Sequence, residues 1–205
     1  MKILKHALLF AFSLLILLIL KLDAHAQSDY IITNDDKKVM GEVKNHNVDK
    51  VKFVPAGEKK SKKFKPEDIK EAFKAGHGIF QSHNLPNGKG PSFLQLLENG
   101  NIKLYEFFKN GYTSAYGAPV SYGASGTFMI AKSNPTRYWY ARKEGGELVE
   151  IKSNQIWGSR KNRKDNFSEL IKDNPHVADR YQTEDKFTFD FVRSLIVEYN
   201  STQAK

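Results

Sequence analysis

Apolar and polar residues alternate along most of the first two-thirds of this chain, and the alternation predicts strands. In "YIITNDDKKVMGEV" (30–43) two apolar runs flank Asn34-Asp35-Asp36, a hairpin signal. On the second run Val39, Gly41 and Val43 share one face, and Lys38, Met40, Glu42 and Lys44 share the other. "NHNVD" turns the chain, and "KVKFV" (50–54) alternates again with Val51 and Phe53 inward. Pro55-Ala56-Gly57 ends that strand. Pro66, with Glu67 and Asp68 just behind it, predicts a helix of one or two turns in "PEDIKEAF". "HGIFQSH" (77–83) reads as a strand. In "FLQLLENGNIKLYEFF" (93–108), Asn99-Gly100-Asn101 sits between two apolar runs and predicts a hairpin rather than one long helix. "GYTSAYGAPVSYGASG" (111–126) reads as a loop joining strands. "TFMIAK", "RYWYAR" and "LVEIK" read as three further strands, the last two joined by a tight turn at Glu144-Gly145-Gly146-Glu147.

The period changes after Trp157. Asn166 is placed to cap a short helix, with Glu169 at the reciprocal position of a capping box and Phe167, Leu170 and Ile171 on its apolar side. Asn174-Pro175 stops that helix and starts another through Tyr181. Thr188 is placed to cap a third, whose Phe191, Val192, Leu195, Ile196 and Tyr199 fall on one face. Strands first and helices last make an α+β chain. We expect an antiparallel β-rich body, a sandwich or partial barrel, over residues 27–157. A helical tail over 158–205 is expected to pack on it as part of one folding unit.

The first 26 residues follow a different logic. Lys2 and Lys5 precede an uncharged run from Ala7 to Leu20, and Ala24-His25-Ala26 supplies small residues at a cleavage site. Fourteen residues of helix rise ~21 Å at 1.5 Å each, short of the ~30 Å of a bilayer core. This reads as a secretory signal at 1–26, cut before Gln27, with no transmembrane segment left after cleavage. An uncleaved anchor is the alternative.

Composition narrows the class. The chain has no cysteine, so an exported form has no disulfides and rests on packing. Cleavage removes three lysines and one aspartate, leaving 29 basic and 22 acidic residues and a net charge of +7. That charge suits an anionic lipid, polysaccharide or wall surface, and it also serves plain solubility.

Taken in order, the landmarks are the "YIITNDD" hairpin, "GEV", "KPEDI", "FLQLLENGNIKLYEF", "DNPHVADRY" and "LIVEYN". This series resembles a broad set of small exported proteins from Bacteroidota that carry no assigned activity. The resemblance covers most of residues 30–200. It implies a Gram-negative envelope, hence the periplasm or the outer surface, and it supplies no catalytic residue.

Known chemical motifs are missing. Gly88-Lys89 is followed by Gly90, not by the Ser or Thr of a phosphate loop. Gly76-His77-Gly78 has Gln81 where a dinucleotide fingerprint has its third glycine. There is no G-x-S-x-G, H-E-x-x-H or S-x-x-K. His77 and His83, six apart, would share a face of a regular strand and are the weak candidates for a metal, with Glu67 or Asp68 as a third ligand. Two exposed imidazoles are the plainer reading, and no cofactor is expected.

Two features carry candidate binding chemistry. In "RYWYAR" (137–142) Arg137 and Trp139 fall on one face and Tyr138, Tyr140 and Arg142 on the other. Aromatics beside arginine can stack on sugars or bases, and aromatics also fill strands in ordinary cores. The runs "KKSKKFK" (59–65) and "RKNRK" (160–164) hold nine basic residues, among them Lys59, Lys60, Lys62, Lys63, Arg160, Lys161 and Arg163. They suit an anionic polymer or headgroup surface, or are solvated loops. The expectation is an exported accessory or binding protein without catalytic activity. Its partner would be an anionic envelope surface or another envelope protein; nucleic acid is not expected. A hydrolase with a convergent histidine and carboxylate site is the alternative.

Overall fold

A computed structural model describes residues 28–109, 112–113, 131–132, 135–155 and 158–203. The expected signal at 1–26, most of the loop at 111–126, most of "TFMIAK" and Trp157 lie outside the described residues. The strands are β1 (Tyr30–Thr33), β2 (Lys38–Asn47), β3 (Lys50–Pro55), β4 (Lys62–Phe64), β5 (Ile69–Lys74), β6 (Gly78–Asn84), β7 (Pro91–Glu98), β8 (Ile102–Lys109), β9 (Tyr112–Thr113), β10 (Ala131–Lys132), β11 (Thr136–Lys143) and β12 (Val149–Ser153). Three helices follow: α1 (Arg160–Ile171), α2 (Pro175–Glu184) and α3 (Phe189–Gln203). The chain is therefore α+β, with a β-rich body and a short helical end.

Ten strands form one open antiparallel sheet in the order β12-β11-β8-β7-β6-β5-β1-β2-β3-β4, and β9 pairs with β10 apart from it. The sheet curls. A bulge between Val43 and Asn45 bends β2, and the β2–β3 hairpin folds back until the Val48 carbonyl accepts from the Phe93 amide of β7 at 2.9 Å. Lys74 of β5 donates to the Val43 carbonyl below the bend. Ile31, Val43, Val51, Phe53, Ile69, Ala72, Phe80 and Phe93 fill the inside of the curl. Gly41 is needed there, because a Cβ would lie 2.2 Å from the Val54 carbonyl and 2.4 Å from the Phe53 ring.

The helices cover one face of the other half. Ile102, Leu104, Trp139, Ala141 and Ile151 of the sheet share a core with Phe167, Ile171, Val177, Val192, Leu195 and Ile196. Asn200 of α3 fastens this layer. Its amide donates to the Ile102 carbonyl and accepts from the Ile102 amide, both at 2.9 Å, so it stands in for a strand neighbour. Leu85, Leu94, Tyr105 and Tyr140 form a smaller cluster on the opposite face.

The two sheet edges are treated differently. β4 carries exposed Lys62 and Lys63. β12 lies under α1, where the Asn166 amide donates to the Glu150 carbonyl at 2.9 Å.

Two local expectations are corrected. Pro66–Asp68 makes only a turn, closed by the Asp68 amide on the Lys65 carbonyl and by the Lys65 amide on the Asp68 carboxylate. The chain then enters β5, because Ile69 and Ala72 find more burial in the curl, at 0% and 1% exposure, than a short helix offers. Helix α1 begins six residues before Asn166, at Arg160. Ser159 caps it by accepting from the Asn162 amide, and the polar stretch "RKNRKD" becomes its first turns. The caps at Asn174 and Thr188 are as expected, accepting from the amides of Val177 and Phe191.

Candidate functional site: an aromatic-floored cleft

The folded-back β2–β3 hairpin leaves a cleft of about 600 Å³ between its tip and strands β6, β7, β8 and β11. Phe80 and Phe93 form the floor, His46 and Asp49 one wall, and Glu106, Phe108 and Arg137 the other. The hairpin tip is a fixed structure. The Asn47 side chain accepts from the amides of Asp49 and Lys50 at 3.0 and 2.9 Å, and Val48 is buried beneath it.

His46 lies over Phe80 with ring centroids 4.0 Å apart and meets His77 edge-on at 5.4 Å. Burial, followed by the charges of His77 and Lys74, pushes its pKa down to about 4. It is therefore a neutral imidazole at pH 7.

The opposite wall is built by cross-strand pairing. Glu106 stands directly opposite Trp139 in the β8–β11 register. Its Oε1 accepts from the Trp139 indole at 2.9 Å and from the Arg137 Nε at 3.0 Å. Arg137 covers Phe108 at 5.8 Å and Phe189 at 5.5 Å. Phe108 remains 40% exposed at the mouth.

The residues singled out in the sequence are distributed around this site rather than gathered in it. Arg137 lines the cleft, while Trp139 is only 4% exposed and packs edge-on against Phe189 at 4.8 Å. No open stacking face is left on that indole. Lys59 and Lys60 are exposed in the β3–β4 loop, and Lys62 pairs with Glu58 at 2.8 Å. Arg160 and Lys161 are exposed in the first turn of α1, with Lys161 on Asp165. Arg163 is turned inward onto Glu150 at 3.3 Å. The two basic runs thus belong to opposite edges of the sheet.

The histidine pair is a correction. His77 lies in the turn before β6, so strand spacing does not apply to it. It meets His46 on the curl side, whereas His83 packs on Tyr105, on the other face of β6, with centroids 4.5 Å apart. Among the described residues no three histidine, aspartate or glutamate side chains gather as metal ligands.

Burial, with Arg142 and Lys103 nearby, also pushes His83 down to about 4. Both histidines bind protons more readily unfolded, where the pKa is ~6.5. Stability is then full above about pH 6.5 and is lost as the pH falls toward about 4. Thermal melts across that window should show the loss, and a His46→Gln, His83→Gln double variant should flatten it. An equally steep profile in the double variant would place the titration elsewhere.

His46, Glu106 and Phe108 escaped sequence reading because two strands far apart in the chain, β2 and β8, bring them together. One signal was present: Glu106 occupies the same face as Ile102 and Leu104, where a carboxylate needs a partner.

Comparison with protein-family models, curated proteins and solved structures gives no significant match. Among the described residues no helix is long and apolar enough to cross a membrane.

Proposed function

We propose that this is an exported accessory protein of the cell envelope, periplasmic or at the outer surface, that binds another envelope protein in the cleft and catalyses no reaction. The half-exposed Phe108 under Arg137 at the cleft mouth is the observation that carries this reading. Aromatic residues and arginine are enriched at protein interfaces, and here one of each stands together on the cleft wall. The cleft offers both signs of charge over an apolar floor, which fits a peptide segment better than a uniformly anionic polymer.

The polar groups favour binding over chemistry. Glu106 is held by two donors, and His46, pushed down to about 4, is a poor proton acceptor at neutral pH. The hydrolase reading keeps only the nearness of His46, Asp49 and Glu106 to one cleft.

Phe108→Ala is the test. With 40% of Phe108 already in solvent, the melting temperature should barely change. Retention of a partner pulled from the native envelope should fall about fivefold or more. Undiminished retention would remove the cleft from partner binding. Hydrolysis of model esters or glycosides that is abolished by His46→Gln would replace this reading with the enzymatic one.

A further inference from the structure

A second cluster lies beyond the cleft, where α1 and the α2–α3 connection meet the last strands. The Phe187 ring carries three cations: Lys152 Nζ at 4.6 Å, the Arg160 guanidinium at 5.9 Å and Lys164 Nζ at 5.8 Å from its centroid. Phe189 carries Lys152 at 5.0 Å. Phe187 is buried, and Lys152 is half-buried on the helix-covered face of β12, paired in register with Trp139.

The acids nearby do not balance this charge. Glu150 is taken by Arg163 and Asp185 by Lys164, each at 3.3 Å. Asp165 is taken by Lys161. Lys152 and Arg160 have no ion pair or hydrogen bond among the described residues. Arg160 is also the first residue of α1, so the partial positive charge of a 12-residue helix adds to the same place.

Packing like charges together without acceptors costs free energy. Burial and the neighbouring Arg160 and Arg163 lower the Lys152 pKa, which is the same cost seen from the lysine. An arriving anion removes the cost. Rings beneath the cations keep water from one side and fix their direction.

We propose that Lys152, Arg160 and Lys164 over Phe187 form a binding site for a phosphate group. Two cations in excess of the acids match a phosphate group, whose several oxygens can be shared between them, better than a single carboxylate. The Arg160 guanidinium and the Lys152 ammonium supply the charge-assisted donors that its oxygens require, and Lys164, already on Asp185, borders the site. The site is separate from the cleft and does not depend on the function proposed for it. It draws on the second basic run only, because Lys59 to Lys63 belong to the far edge of the sheet.

Titration calorimetry of the purified protein with inorganic phosphate at low salt tests the proposal. A Lys152→Gln, Arg160→Gln variant should bind about tenfold more weakly or worse. Lys59→Gln, Lys60→Gln should bind like the wild type. Without phosphate, the first variant should melt no lower than wild type, because it relieves repulsion. Cosedimentation with phosphatidylcholine vesicles, with and without phosphatidylglycerol, separates the sources. Binding to phosphatidylglycerol that the variant loses assigns the phosphate to a lipid headgroup. Phosphate binding without vesicle binding assigns it to a soluble phosphate ester. If neither phosphate nor phosphatidylglycerol distinguishes the variant from wild type, the proposal is wrong.

Discussion

A chain ending at residue 157 should lose cooperative unfolding. The helices it lacks contribute Phe167, Ile171, Val177, Val192, Leu195 and Ile196, all at 0% exposure, to the core they share with the sheet. Each such side chain is worth ~1.5–3 kcal/mol of burial, against a total stability of ~5–15 kcal/mol for a domain. Their removal also uncovers Ile102, Leu104, Ala141 and Ile151 and frees both polar groups of Ile102 that Asn200 holds. A broad transition in circular dichroism, with dye-binding apolar surface, is the expected result. Should residues 27–157 melt as sharply as the chain with its helices, the helical end would be an appendage and not part of the fold.

Trp139→Ala should be the most damaging single substitution in the site. Truncating a buried tryptophan costs ~3–5 kcal/mol. The indole also supplies one of the two donors to Glu106, whose carboxylate is 12% exposed on its side chain. Trp139→Phe separates the contributions. It keeps most of the burial and loses the indole bond, so it should cost only about 1–3 kcal/mol. Urea midpoints for the two variants measure both. A Trp139→Ala midpoint equal to wild type would mean that the ring is not part of the core.

The elements legible in the sequence are those with a local cause. Asn99-Gly100 marks the β7–β8 hairpin, and the alternation in 137–142 gives the two faces of β11, because turn chemistry and pleat act over a few residues. Asn174 and Thr188 mark helix starts for the same reason. Residues 66–73 misled because a proline followed by acids fits a helix start equally well, and the competing burial of Ile69 and Ala72 comes from β1, more than thirty residues away. The start of α1 was hidden because its first turns are charged outside and the one inward residue, Arg163, is itself a charge. The cleft was the least legible part. It depends on the bulge at Val43–Asn45, which folds one hairpin over another part of the sheet, and nothing local announces that bend.

The unequal edges of the ten-stranded sheet have a consequence for how the protein survives at high concentration. A chain without cysteines cannot lock its fold covalently, and a long open sheet offers each end as a template for another copy. At one end α1 packs against β12 and its Asn166 amide takes the Glu150 carbonyl, which hinders a further strand from adding there. At the other, β4 is three residues long and presents Lys62 and Lys63, with Lys59 and Lys60 just before it. A second copy arriving edge to edge would set its own lysines against these, and the repulsion would turn it away. The first basic run therefore disfavours edge-to-edge pairing of two copies at β4.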